Sequence, residues 1–460
     1  MVPVSCHNLD KQRLAYFRPY GGKMSNQESG TTQRVSAYSY GVVILLMVVY
    51  TFNFLDRQLL SILSEPIRNE LNFSYTQMGM LTGLSFALFY TTFGIPLAWL
   101  ADRTHRVRLI AAALTIWSLF SMACGMASNF LTLALARIGV GIGEAGGSPP
   151  SYSLISDYFP PQKRGGALAI YALGVPFGTA LGSAAGAQIA ALYGWRTAFL
   201  AVGIPGVLLA LALLVIVREP KRGRMDVMAE GKTEHEPSVP LTTAIASFFT
   251  NPTLVMTAIA AGLTAFVGYG ILNNVPAYLI SNRHMTLPEI AIWWSALNAL
   301  GGGVGTFASG WLVDRLAKIN RAAYALVPAG AFVVSLPFYI GFLMAPTWQL
   351  GMVFLIIPII MGTVYLAPAI AVVQNAVQPA QRGTSGAILL FLLNLIGLGG
   401  GPLYVGLVAD HFKPELGVQA LQYGLMALVP FYIITIFAHM VSARLITKDS
   451  NLAAQLAAKA

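Results

Sequence analysis

Long apolar runs alternate with short polar connections from about Ser39 to Leu445. Each run is long enough to cross a ~30 Å hydrocarbon core as a helix. The pattern predicts twelve helices over 38–62, 76–100, 108–127, 130–157, 163–192, 195–217, 253–281, 287–314, 322–345, 347–377, 383–410 and 417–446. The ~10-residue alternating segments of a membrane β-barrel are absent. The longest polar interruption, Arg218 to Pro240, separates six predicted helices from six. The expected organisation is a tail at 1–37, a bundle at 38–217, a linker at 218–252, a second bundle at 253–446 and a tail at 447–460. Leu241 to Thr250 is apolar enough to form an interfacial helix at the end of the linker.

Composition agrees with an all-α polytopic membrane protein. The 460 residues are 56% hydrophobic and 10% charged, against about 25% charged in soluble domains. The net charge of +10 raises the question of nucleic acid, and its distribution answers it. Of the Lys and Arg residues, Arg68, Arg196, Arg283 and Lys413 fall in odd-numbered connections and Arg57 and Arg137 within spans. All others lie in the tails, in the even-numbered connections or at the span ends that adjoin them. By the positive-inside rule this bias is a topology signal that places both termini in the cytoplasm, and no nucleic-acid partner is expected. The polar N-terminal stretch ahead of Ser36 contains no apolar core for a cleaved signal peptide, so the first span is expected to act as the insertion signal. Cys6 and Cys124 imply no disulfide framework. No metal or cofactor is expected, and no G-x-x-x-x-G-K-[ST] loop is present to power an ATP-driven pump.

The halves repeat at a near-constant offset. Ala98-Trp99-Leu100-Ala101-Asp102-Arg103 returns in the second half as Gly310-Trp311-Leu312-Val313-Asp314-Arg315. Pro161-Gln162-Lys163-Arg164-Gly165 returns as Pro379-Ala380-Gln381-Arg382-Gly383. In the register of that second match, Pro150 meets Pro368 and Gly182 meets Gly400. Two six-helix halves related by an axis along the membrane normal are the plan of the major facilitator superfamily, which this chain resembles. The run Ala98-x-x-x-Asp102-Arg103-Thr104-His105-Arg106-Val107-Arg108 is similar to that superfamily's loop between helices two and three, with Ala98 and His105 standing where glycines are usual. The resemblance implies a conformational gate at Asp102, Arg103, Arg106, Asp157, Arg164, Asp314 and Arg315. It would clamp the cytoplasmic ends together when the cavity opens outward. Asp102 would then sit near a helix N-terminus, where a carboxylate is favoured, with Ser385 and Gly386 as that terminus. The competing reading is a basic loop that only sets topology.

Four charges interrupt the apolar stretches: Asp56, Arg57, Arg137 and Glu144. A charge at membrane depth is costly and faces a partner or an aqueous cavity. Asp56 and Arg57 are adjacent and point about 100° apart on a helix. Arg137 and Glu144 share a face but stand about 10 Å apart along the axis, so each needs another partner. Arg137 with Asp56 and Glu144 with Arg57 are the expected pairs. Such pairs either bind protons and couple transport or fix helices statically. Arg137 could instead hold an anionic headgroup through its planar fork. Gly141-x-Gly143-x-x-Gly146 fits a dinucleotide fingerprint but lies in a predicted membrane helix, without the preceding strand that motif requires. The glycine row Gly174, Gly178, Gly182 and Gly186, and the glycines within 301–305 and 397–401, are expected to pack at the interface between halves. The second half offers neutral polar groups, among them Asn273, Asn274, Asn298 and Tyr365.

Asn53-Phe54-Leu55-Asp56-Arg57, Arg137-x-x-x-Gly141-x-Gly143-Glu144-Ala145 and Asp157-Tyr158-Phe159-Pro160 together resemble the Spinster family, and the short loops resemble a bacterial member. The resemblance implies a monomeric inner-membrane transporter, proton-coupled, that moves an amphiphilic anion such as a lysophospholipid or sphingoid phosphate by rocker-switch alternating access. Asp56, Arg57 and Glu144 would couple protons. Arg137, Glu144, Asn273, Asn274, Asn298 and Tyr365 would bind substrate. A proton-coupled symporter of small organic anions such as sugar acids is the alternative.

Overall fold

The computed structural model describes residues 35–225, 241–377 and 381–449. The expected tails and the middle of the expected linker lie outside these residues. Within them every regular element is helical. The membrane helices are α1 (Ala37–Ile62), α2 (Tyr75–Ala101), α3 (Arg106–Gly125), α4 (Phe130–Tyr158), α5 (Pro161–Tyr193), α6 (Trp195–Ile216), α7 (Pro252–Arg283), α8 (287–317), α9 (Ala323–Met344), α10 (Trp348–Ala376), α11 (382–416) and α12 (420–448). Glycine-rich α8 is the least apolar. The stretch Arg382–Lys448 is one continuous apolar unit by composition, but a turn at Gly417–Gln419 divides it into two crossings.

The repeat seen in the sequence has physical content. Ser74 and Gln77 form a capping box at the start of α2, and their counterparts in the second half, Thr286 and Glu289, form one at the start of α8. Arg103 stacks on Trp99 and Arg315 on Trp311, one turn back in each case. Arg164 Nε donates to the Ser156 carbonyl at 3.1 Å, and Arg382 Nε to the Gln374 carbonyl at 3.0 Å. Helix α4 breaks between Ala145 and Ser148 and α10 between Met361 and Leu366, each just ahead of the paired prolines Pro150 and Pro368.

The glycine rows lie mostly elsewhere than expected. Gly174, Gly178, Gly182 and Gly186 pack α5 onto α1 within the first half, where a Cβ on Gly182 would stand 2.7 Å from the Leu55 carbonyl oxygen. Gly397 and Gly401 do the same between α11 and α7. The glycines between the halves are Gly79, Gly83, Gly406 and, as expected, Gly399, where α2 crosses α11. Added Cβ atoms at Gly79 and Gly83 would stand 2.5 Å from the carbonyls of Pro402 and Leu398. Gly182→Ala is expected to cost about 1–3 kcal/mol by forcing backbone apart. Gly268→Ala, with nothing within 4 Å of the added carbon, is expected to be neutral. Apparent melting temperatures of the two variants in detergent check this.

The halves meet at the membrane face opposite the linker, here the far face. There α2 packs on α11 and α5 on α8. Deeper in, the Ser61 hydroxyl on α1 donates to the Leu272 carbonyl on α7 at 3.0 Å. At the linker face the first turns of α5 (Pro161–Ala172) and α11 (Arg382–Leu393) pack within their own bundles, so the bundles part in that direction.

Candidate functional site

The four membrane-embedded charges form two ion pairs inside the first half. Arg57 Nε donates to Glu144 Oε2 at 2.6 Å, and Arg137 Nη1 to Asp56 Oδ2 at 3.2 Å. Both expected pairs are therefore present. Helix geometry explains how. Asp56 and Arg57 diverge by one residue on α1, and Arg137 and Glu144 are two turns apart on α4, so one helix presents a diagonal of opposite charges to the other.

The pairs are not equivalent. Arg137 and Asp56 are closed off, with side chains 2% and 1% exposed, and the Ser121 hydroxyl of α3 donates to Asp56. Glu144 is also enclosed, but the Arg57 side chain is 17% exposed. Arg57 lies among three rings, 4.5 Å from the centroid of Tyr90, 4.7 Å from Phe86 and 5.0 Å from Phe54. Phe86 sits 5.2 Å from the Arg137 guanidinium as well, so one ring contacts both cations. A Cβ on Gly141 would stand 3.0 Å from the Phe86 carbonyl, and that close approach of α4 to α2 inserts the ring. The expectation that Arg137 meets a headgroup directly therefore runs against its burial, and Arg57 is the accessible cation.

The cluster holds two cations and two carboxylates, so its formal charge balances. Its hydrogen bonding does not. Arg137 Nε, Glu144 Oε1, Asn53 Oδ1 and Gln58 Nε2 are buried without a partner. Buried polar groups are ordinarily satisfied, and a concentration of exceptions beside two ion pairs marks a place where protons, water or a ligand can be held.

A phenol-rich wall continues from Arg57. Tyr50 stacks on Tyr171 at 4.4 Å, and Tyr152 packs edge-on against Tyr171 at 5.4 Å. Tyr269 of α7 is within electrostatic reach of Arg57 and Tyr90, and Tyr365 of Tyr269. Arg57 of the first half thus lies near a phenol of the second, that of Tyr269. Asn273, Asn274 and Asn298 are buried and bond back to their own helices, at the carbonyls of Tyr269, Gly270 and Trp294. Phe86, Tyr90, Ser121 and Tyr269 carried no sequence signal as a group. The i,i+4 spacing of Phe86 and Tyr90 was the one available hint.

The expected gate residues divide into two sets. Asp102, Arg103, Asp314 and Arg315 are exposed at the linker face, and Ser385, the expected partner terminus for Asp102, is fully buried with its hydroxyl unpartnered. Arg106 and Asp157 are instead locked together at 2.5 Å. Arg106 is fully buried and also donates to Glu219 at 2.6 Å, Ser153 at 2.8 Å and the Pro220 carbonyl at 3.1 Å. Asp157 accepts from the Gly223 amide at 2.9 Å. This network fixes the start of the linker to the first half. Arg164 ties the end of α4 to the start of α5 through the Ser156 and Phe159 carbonyls.

A family model described as Major Facilitator Superfamily matches residues 46–402. An MFS-type efflux pump of Mycolicibacterium smegmatis is 31% identical over 85% of this chain and 89% of its own. A hexuronate transporter of Bacillus subtilis is 27% identical over 84% of this chain and 91% of its own. Among solved structures, a bacterial homologue of the human lysosomal transporter Spinster, inward-facing and unoccupied, superposes with a TM-score of 0.84 at 31% identity, covering 90% of this chain and 98% of that one.

Proposed function

The chain belongs to the Major Facilitator Superfamily as a bacterial transporter of Spinster type, and on that premise we propose that it is a proton-coupled carrier of an amphiphilic anion such as a lysophospholipid. The observation that carries this reading is the unequal burial of the two ion pairs. Arg57 is accessible and aromatic-lined but already engaged by Glu144. A proton delivered to Glu144 replaces a charge-assisted bond by a weaker one and frees the guanidinium for an anionic headgroup. Proton and anion then bind together, and neither binds well alone. Asp56 and Arg137 lie behind as a reserve acceptor and its counter-ion. Phe54, Phe86, Tyr90 and Tyr269 supply apolar surface for the rest of the ligand, and Tyr365 and the buried asparagines border the same second-half wall. The alternation is a rocking of the two bundles. The basic linker face is read as cytoplasmic, so this conformation opens inward, in keeping with its likeness to an inward-facing structure. Asp102, Arg103, Asp314 and Arg315 are then free to engage when the cavity opens the other way.

A second reading, symport of small sugar acids, is favoured by the similarity to a hexuronate transporter. Uptake of labelled lysophosphatidate and labelled glucuronate into proteoliposomes, with and without an inward-acid pH gradient, separates the two. The first reading expects gradient-stimulated movement of the lysolipid and none of glucuronate. The reverse result supports the second, and failure of both in a folded preparation removes the anion reading.

A further inference from the structure

The geometry points to Asp410 as the latch that holds the far face shut. Its carboxylate, near the end of α11 in the second half, accepts the backbone N–H groups of Tyr75 at 3.0 Å and Thr76 at 2.7 Å, at the start of α2 in the first half. A helix N-terminus leaves its first amides without intrahelical partners and carries partial positive charge. At α2 these amides are shared out. Ser74 and Gln77 satisfy each other in the capping box at 2.9 and 3.1 Å. The two amides between them, Tyr75 and Thr76, are capped from the other half. Tyr75 is 5% exposed, and its ring lies 4.4 Å from Arg68 of its own half and 5.6 Å from Lys413 of the other. Gly406 fits against the Tyr75 backbone. The contact is therefore a fitted joint between halves.

The repeat shows that this joint is built at one of the two places where it could be. In the register that pairs Asp102 with Asp314, Ser74-Tyr75-Thr76-Gln77 corresponds to Thr286-Leu287-Pro288-Glu289. The α8 capping box is present, but Pro288 has no N–H to offer. In the register that pairs Gly182 with Gly400, Asp410 corresponds to Leu192, so the matching end of α5 has no carboxylate there. The start of α8 therefore offers one amide there, that of Leu287, where the start of α2 offers two. On the linker face the relation is inverted. Asp102 ends α2, and the first helical segment of α11 begins at Arg382, with Ser385 fully buried and its hydroxyl unpartnered. Helix α11 thus carries, near its end, an aspartate bonded to the beginning of α2, and α2 ends in Asp102 on the face where α11 begins. In this conformation the Asp410 joint is made and Asp102 is exposed. Opening the far face must withdraw α2 from Asp410.

This inference rests on the rocking motion above but on no particular substrate, so its test uses none. Spin labels are placed at the exposed far-face positions Tyr193→Cys and Val418→Cys, and separately at the linker-face positions Gln162→Cys and Ile319→Cys, in a Cys6→Ser/Cys124→Ala background in lipid nanodiscs. Distances are read by pulsed electron paramagnetic resonance. The parent protein is expected to show a short far-face distance. Asp410→Asn halves the acceptor capacity, and Thr76→Pro, copying Pro288, removes a donor while keeping the carboxylate. Each is expected to raise the ratio of long to short far-face distances about tenfold, the effect of losing one charge-assisted bond, with a matching shortening at the linker face. Unchanged distances in both variants overturn the proposal. If Asp410→Asn does not fold, unchanged distances in Thr76→Pro alone do so.

Discussion

Arg57→Ala is expected to reduce transport to background and to lower stability by about 3–5 kcal/mol, the cost of leaving a buried carboxylate without its cation. Glu144 is the group left behind. Its side chain is fully enclosed, its Oε1 already lacks a partner, and Arg57 is its one described hydrogen-bond partner. Arg57→Ala with Glu144→Gln removes charge from both sides, so it is expected to recover most of the stability and none of the transport. That separation distinguishes a binding role from a purely structural one. Arg57→Lys keeps the charge but loses the planar group that fits among three aromatic rings, and is expected to bind substrate about ten times more weakly or worse. Melting temperatures and counterflow uptake on the three variants check the set. Full transport by the double variant would remove Arg57 from the substrate path.

Arg106→Ala is expected to have the largest effect on stability outside the charge cluster. Arg106 is fully buried and joins Asp157, Glu219, Ser153 and the Pro220 carbonyl. Its loss leaves Asp157, 5% exposed, with a carboxylate uncompensated by charge, a loss of about 3–5 kcal/mol. It also loosens the linker start, because Glu219 then keeps only the Val107 amide at 3.0 Å and His105 at 3.2 Å, leaving Arg222 on the Ala101 and Thr104 carbonyls as a remaining side-chain tie. Trypsin is expected to cut at Lys221 and Arg222 roughly ten times faster or more in the variant, since local opening exposes the chain. Membrane proteins often unfold irreversibly, so the stability comparison is one of apparent melting temperatures at a fixed scan rate. Equal cleavage rates would show that Arg106 does not hold the linker.

The sequence made the architecture readable because a bilayer permits few solutions. Apolar runs of span length fix the helices, and the recurrence of Asp102-Arg103 as Asp314-Arg315 fixes the two halves. The ion pairs were readable for a similar reason. Charges at membrane depth need opposite charges, and the spacings of Asp56 from Arg57 and of Arg137 from Glu144 admit a diagonal pairing. What could not be read was rotation. The azimuth of α1 and α4 about their axes decides that Arg57, and not Arg137, is the partly exposed cation, with Phe86 in contact with both guanidiniums. The row Gly174, Gly178, Gly182 and Gly186 packs within its own half for the same reason, since a four-residue repeat shows that a face is smooth but not which helix lies on it. Arg106 belongs to a loop motif whose resemblance implies a gate, but its bonds to Glu219 and Pro220 on the linker start have no local signature. Asp410 had none either, since its meaning depends on two amides at the opposite end of the chain, those of Tyr75 and Thr76.

The proposed transport requires that the anion and the proton share one site. A pH-sensitive dye sealed inside proteoliposomes tests it without assuming a gradient. Adding the transported anion outside at equal pH is expected to acidify the lumen as substrate enters, and Glu144→Gln is expected to abolish that signal. Substrate entry with no change in lumenal pH, or an undiminished signal in Glu144→Gln, would contradict it.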